Sequence, residues 1–289
     1  LFPFMAVTVA VEDDALVVGD RLFNQVVQRR FKIALRKRKR HQRIAGVELL
    51  FPGAWLSPAP LHPAKAAAVS AKQTNADKNV ILVEKLDILS GNGKFDMNFF
   101  DMINTEAQKA AGNDEWVGEA GLAKFIEEKS ANGESAERIQ VWANEEYGID
   151  AWLRAMGVEL NYNYGGTNHM AEDNQYSGEV IQAGLEKAAA ELGVDVRTGT
   201  KGMDLVMEDG VCKGVVVTNN ANETYTINAK STIIATGGFC SNKELLAEYA
   251  PGYEVFNTSN QMGTTGDFVK IFEQNGFKME NMGKMSFFS

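Results

Sequence analysis

The sequence predicts an α/β fold with an inserted antiparallel β meander and a helical insertion. Three observations carry this. Apolar strand patterns alternate with amphipathic helices along the main body of the chain. An unbroken apolar run, residues 79–84, ends in an acid. A second, residues 231–235, ends in small residues and two glycines. Unbroken apolar runs of this length suit parallel strands covered on both faces, and the helix-strand alternation suits a layered sheet.

In chain order, residues 1–63 differ from the remainder. Val7–Val11 and Ala15–Val18 read as short strands, Gln25–Arg43 as a very basic helix, and Phe51–Pro63 as irregular, rich in proline and tryptophan. From Ala64 the texture changes. Ala64–Asn75 is an alanine-rich helix, Asn79–Glu84 a strand, and Ser90–Lys94 (SGNGK) a glycine turn. Helices are expected over 104–111, 116–130, 135–146 and 150–156, and residues 161–175 read as a polar loop. Gly178–Leu192 is a strong amphipathic helix stopped by Gly193. Strands follow over 194–198, 202–208 and 211–219, with Asp209-Gly210 as a hairpin turn, then over 225–229 and 231–235. The last helices are expected over 242–249 and 267–275.

Composition narrows the function classes. With 45% hydrophobic and 23% charged residues, a sizeable core can form. Net charge is -9, but residues 29–43 hold nine Lys/Arg and no acid, which leaves 20 basic against 38 acidic residues elsewhere. A body that acidic repels a phosphate polymer, so nucleic-acid binding by it is not expected. The basic run reads as a solvated tail, as an arm for nucleic acid or anionic lipid, or as an insertion or wrong-frame translation. Two cysteines, Cys212 and Cys240, give neither a disulfide framework nor a metal cluster. No apolar run reaches the ~18 residues that span a bilayer, and the expected location is cytoplasmic.

Several segments carry candidate chemistry. Glu84, closing its strand, is placed to accept hydrogen bonds from ribose hydroxyls, or it is a solvent-facing carboxylate. Gly91, Asn92 and Gly93 allow backbone N–H groups to close on a phosphate or a planar ring, or form a surface turn. Ala235, Thr236, Gly237 and Gly238 allow close backbone approach at the carboxyl edge of the sheet, or simply end a strand. Asp267, ahead of the last helix, is an N-cap, a contact for a bound polar group, or both. His169 is a conceivable acid or base, but without a visible partner it reads as exposed. Trp116, Trp142 and Trp152 read as core.

Taken in order, the segments VILVEK (80–85), SGNGK with Met97-Asn98, IDAWLRAMGVEL (149–160), GVDVRTGTKGMDLVMEDGVCKGVVV (193–217), STIIATGGF (231–239) and TSNQMGTTGDF (258–268) resemble the fumarate reductase/succinate dehydrogenase flavoprotein family, in its soluble fumarate-reductase-like branch. The resemblance implies a Rossmann-like FAD-binding fold. It implies that Glu84, with Lys85 after it, meets the FAD ribose and that Gly91, Asn92, Gly93 and Lys94 line the pyrophosphate and flavin. Gly202 and Met203 would meet the adenine, Ala235–Gly238 would pass beside the cofactor, and Asp267 would contact its polar chain. It implies hydride transfer from flavin to an unsaturated carboxylate, with a separate electron donor as partner.

Three departures stand out. Where the family carries Gly-x-Gly-x-x-Gly, this chain reads Trp55 to Lys65 with three prolines, which lack N–H donors. Phe268 replaces the final glycine of Thr-Gly-Asp-Gly. The clamping domain and catalytic arginines would lie beyond Ser289, and a substrate histidine would fall near Phe287 or Phe288. The expectation is therefore a basic leader (1–63) and an incomplete FAD-binding domain (64–289), without catalytic or metal-binding residues of its own. Another FAD-dependent class, acting on ketosteroids or amino acids, and a non-catalytic nucleotide-binding body with a basic tether are the alternatives.

Overall fold

The computed structural model describes residues 7–12, 47–49, 63–89, 91–95, 99–130, 136–172 and 176–285. Its central sheet has five strands: β1 (Val7–Glu12), β2 (Val47–Leu49), β3 (Asn79–Glu84), β7 (Asp195–Arg197) and β11 (Ser231–Ile234), in the order β2-β11-β1-β3-β7. β1 runs antiparallel to both β11 and β3, so those two point the same way. β2 is parallel to β11, and β7 is parallel to β3.

The alternation of side chains along β3 builds a core on each face. Val80 and Leu82 pack against α1 (Pro63–Thr74) and α6 (Ser177–Glu191), in a cluster with Ala68, Val69, Ile181, Leu185 and Ile233. Ile81 and Val83 point the other way and meet Val215, Val217, Ile227, Ile234 and Phe268. These β3 side chains are nearly inaccessible, and each contributes roughly 1.5–3 kcal/mol by burial. The second face is covered by the expected meander, β8 (Thr200–Glu208), β9 (Val211–Asn219) and β10 (Thr224–Asn228), an antiparallel sheet in the order β10-β9-β8. Its first turn places Asp209 at φ 49° and Gly210 at φ 76°, the pair of positive angles that a two-residue hairpin requires. Gly193, at φ 72°, ends α6 as anticipated.

The helical insertion departs from expectation in two places. Residues 136–155 form one helix, α5 (Ala136–Ala155), after α2 (Asn92–Phe95), β4 (Phe100–Asp101), α3 (Glu106–Ala110) and α4 (Gly118–Ser130). Gly148 weakens a helix by about 1 kcal/mol relative to alanine. Burial of Ile139, Ala143 and Leu153 on both sides of it carries the helix through. Residues 161–175 are not simply a loop: β5 (Tyr162–Gly165) and β6 (Asn168–Met170) pair with each other and with β4 in a small antiparallel sheet. The strand at Val7 is present; Pro63, expected to close the irregular stretch over 51–63, instead opens α1, and the rest of that stretch, Ala15–Val18 and the basic helix over 25–43 lie outside the described residues. Two short helices, α7 (Lys243–Tyr249) and α8 (Val269–Gln274), complete the fold.

Candidate functional site

Both β3 and β11 end at the same rim of the sheet. Glu84 is level with Val7, and Ile234 is level with Thr8 on the same intervening strand. Two strand spacings separate them, roughly 10 Å. The carboxylate at 84 and the Ala235–Gly238 segment therefore flank one edge, as expected for a ligand laid across it.

Glu84 is fully buried, which excludes the solvent-facing alternative. One carboxyl oxygen, Oε1, accepts the backbone N–H of Leu86 at 2.8 Å. The other, Oε2, has no hydrogen-bond partner among the described residues. Burial pushes the carboxyl up to about 7, against the opposing pull of the Leu86 N–H and of Lys85 and Lys65.

Hydrogen bonds tie the remaining segments to this rim. Lys85 Nζ donates to Thr265 Oγ1 and to Asp267 Oδ2, both at 2.7 Å. Lys201, one residue before Gly202, reaches the other Asp267 oxygen at 2.9 Å. Burial resists ionisation of Asp267, but the two lysine hydrogen bonds outweigh it and hold the carboxyl below its usual range. Asn92 is buried; its Oδ1 accepts Gln261 N–H at 2.8 Å and its Nδ2 donates to Asn260 Oδ1 at 2.6 Å. The segment after β11 joins the same stretch through Ser241 N–H to Thr264 O and Asn242 Nδ2 to Thr265 O, both at 3.0 Å. Gly91 (φ 110°) and Gly237 (φ 73°) hold backbone angles that leave their amides free of a Cβ. Met203 stands at a bulge, unpaired between Gly202 and Asp204, and is half-exposed.

Four readings are corrected. The glycine segment is not a surface turn: residues 92–95 form a helical turn and residues 91–93 are buried. Asp267 does not cap the last helix: Phe268 holds that position without a side-chain cap, and the Asp267 carboxylate is taken by the two lysines and Thr265 Oγ1. His169 is fully buried, with Thr105 Oγ1 at 2.7 Å and the Thr167 carbonyl at 2.8 Å, and burial lowers its basicity. Of the three tryptophans, Trp116 is buried, and Trp142 and Trp152 are only partly so.

The sequence reading missed Lys65 and Lys201, and it placed Thr264 and Thr265 in the turn before Asp267 without a role for their side chains. Lys65 is wholly buried, donates to Leu89 O at 3.2 Å and pairs with Glu186 on α6. The signal was a single cation inside the alanine run of α1. Thr264 is also fully buried and its Oγ1 has no partner among the described residues. Among those residues no group of acids, histidines and cysteines could hold a metal ion, and no helix is long and apolar enough to cross a membrane.

Residues 65–288 match the model of the family described as FAD binding domain. The chain belongs to that family. FAD is its cofactor, and two buried atoms without partners, Glu84 Oε2 and Thr264 Oγ1, fit a ligand that brings its own hydroxyl donors. A probable fumarate reductase of Shewanella frigidimarina is 31% identical over 226 residues, 75% of this chain and 37% of its own length. A urocanate reductase of Eggerthella lenta is 31% identical over 232 residues, 75% of this chain and 37% of its own. The open conformation of a flavocytochrome c3 fumarate reductase superposes with a TM-score of 0.65 at 25% identity, covering 91% of this chain and 44% of that one. A 3-ketosteroid-Δ4-(5α)-dehydrogenase from Rhodococcus jostii, at 18% identity and a TM-score of 0.63, shares the fold. The chain thus spans 37% of the length of either reductase and 44% of the flavocytochrome.

Proposed function

We propose that this chain is the cofactor-binding part of a fumarate-reductase-like oxidoreductase whose complete form reduces the double bond of an unsaturated carboxylate. The observation that carries the reading is the fully buried Glu84, with an open acceptor oxygen at the rim where β3 and β11 end. When bound, FAD supplies a two-electron carrier able to pass hydride to a carbon.

The protein's own residues bind and position. Glu84 accepts from the adenosine ribose. Lys85 and Lys201 hold Asp267, which fixes the stretch 263–267 against the end of β3. Gly91–Lys94 and Ala235–Gly238 offer backbone N–H groups along the rest of the cofactor, and Asn92 anchors the first of these segments to Gln261. Gly202 and the exposed Met203 side chain flank the adenine. The likeness to fumarate and urocanate reductases supports the substrate class. Because the chain covers 37% of either reductase, the proposal assigns substrate clamping and proton delivery to residues outside it. A separate electron donor and a cytoplasmic location belong to the same proposal.

Titration of the purified protein with FAD, followed by quenching of flavin fluorescence, tests the binding role. Saturation at one FAD per chain is expected, and no quenching overturns it. Turnover with fumarate and a reduced dye tests the division of labour. Binding without turnover is expected, and rapid fumarate reduction by this chain alone overturns that part.

A further inference from the structure

Glu84 sits among cations, yet among the described residues no ammonium or guanidinium pairs with it directly. Lys85, the next residue, directs its ammonium to Thr265 Oγ1 and Asp267 Oδ2, each at 2.7 Å. Lys65, on α1, donates to Leu89 O at 3.2 Å and pairs with Glu186 on α6. Lys201, on β8, is bound to Asp267 Oδ1 at 2.9 Å. Lys94, on α2, lies within electrostatic reach of Lys65. The buried Glu84 carboxyl is therefore met by backbone N–H groups, that of Leu86 at 2.8 Å and, more weakly, that of Lys85, and has no direct ion pair among the described residues. Removing a carboxylate from water without pairing it favours the neutral acid.

Ribose hydroxyls reverse that preference. Each is a donor that needs an oxygen lone pair, and an ionised carboxylate accepts more strongly than a neutral acid, whose own O–H must also find an acceptor. Resting on the reading above, we propose that cofactor binding at this rim is proton-coupled: Glu84 holds a proton in the cofactor-free protein and releases it to solvent as the ribose hydroxyls of FAD occupy its open oxygen. One proton leaves per FAD bound, and no electron moves.

The burial-raised value of about 7 for the free protein sets the scale. If the bound form is fully ionised, linkage makes affinity about tenfold higher at pH 8 than at pH 6, with the slope nearing one decade per pH unit below pH 6. The sign is fixed: the free protein carries the extra proton, so acid competes with FAD and binding tightens as pH rises. The other buried groups with raised or lowered values are Lys65 on α1, whose charge burial disfavours and which acts electrostatically on Glu84, and Glu146 and His169, which lie in the helical insertion and its small sheet.

The test is FAD affinity by fluorescence quenching from pH 5.5 to 8.5, for the wild type and for Glu84→Gln. It is paired with calorimetry of the wild type at pH 6 in two buffers of different ionisation heat. The wild type should show the tenfold rise and release about 0.9 proton per FAD at pH 6. Glu84→Gln should bind more weakly than the wild type at pH 8, with a flat profile. The calorimetric proton count stands without the variant, should that variant fail to fold. A flat wild-type profile with no proton released overturns the inference and leaves FAD binding intact. A slope that survives in Glu84→Gln also overturns it. Absence of FAD binding at every pH sinks both the inference and the function proposed above.

Discussion

Replacing Glu146 with glutamine should stabilise this protein at alkaline pH and leave it unchanged in acid. Glu146 is buried on α5. Its Oε1 accepts the indole N–H of Trp142 at 2.9 Å, and its Oε2 has no partner among the described residues. Burial first, and then the nearby Asp101 carboxylate, push it from an ordinary 4.5 up to about 8, while Trp142 and Lys129 pull the other way. Lys129 does not neutralise it. That ammonium lies 3.6 Å from Asp101 and stacks over the rings of Phe125 and Trp142.

A carboxyl that keeps its proton only in the folded state lowers stability as pH rises. The loss begins near pH 4.5, where the unfolded chain ionises, and ends near pH 8, where the folded protein does too. Between pH 5 and pH 8 the slope is about 1.4 kcal/mol per pH unit from this group, or about 3 kcal/mol by pH 7. Glutamine keeps an oxygen for Trp142 and has nothing to ionise. Urea unfolding of both proteins at pH 5, 6, 7 and 8 should show the variant gaining on the wild type at each step. Parallel curves across this range, or a glutamine variant less stable by the same amount throughout, would refute the reasoning.

Two further outcomes follow from the geometry. Gly214→Ala should cost several kcal/mol, because a Cβ there would lie 2.1 Å from the Ile227 carbonyl oxygen at φ 151°, and the backbone of a paired strand cannot step aside; a drop in melting temperature without loss of strand signal would show it. Lys85→Met should destabilise by about 1–3 kcal/mol through the unmet acceptors on Thr265 and Asp267, and should weaken FAD binding at all pH values, which a titration at pH 6 and pH 8 reports.

What the sequence could reveal follows the range of the interactions involved. β3, α6 and the β8-β9 hairpin are set by local pattern: an apolar run, a helical stripe, a two-residue turn of the right chemistry. Each was found within a residue or two of where it lies. The site residues were visible as motifs, but their states were not. The burial of Glu84 depends on α1 and on β1, neither of which can be inferred from the strand that bears it. His169 looked solitary because Thr105 is 64 positions away. Asp267 looked like a helix cap because its true partners, Lys85 and Lys201, are contributed by two other strands' ends. α5 was expected as two helices, over 135–146 and 150–156; Gly148 lies between them, and the packing of Ile139, Ala143 and Leu153 that carries one helix through is distributed over three dimensions.

The Asp267 junction has a consequence for how the molecule breathes. A single carboxylate knots together residue 85 from the middle of the chain, residue 201 at the mouth of the meander and residue 267 near the final helix. The half-exposed Lys201 pair is the weaker tie and the enclosed Lys85 pair the stronger, so the meander should come away from this rim before residues 85 and 267 part from each other.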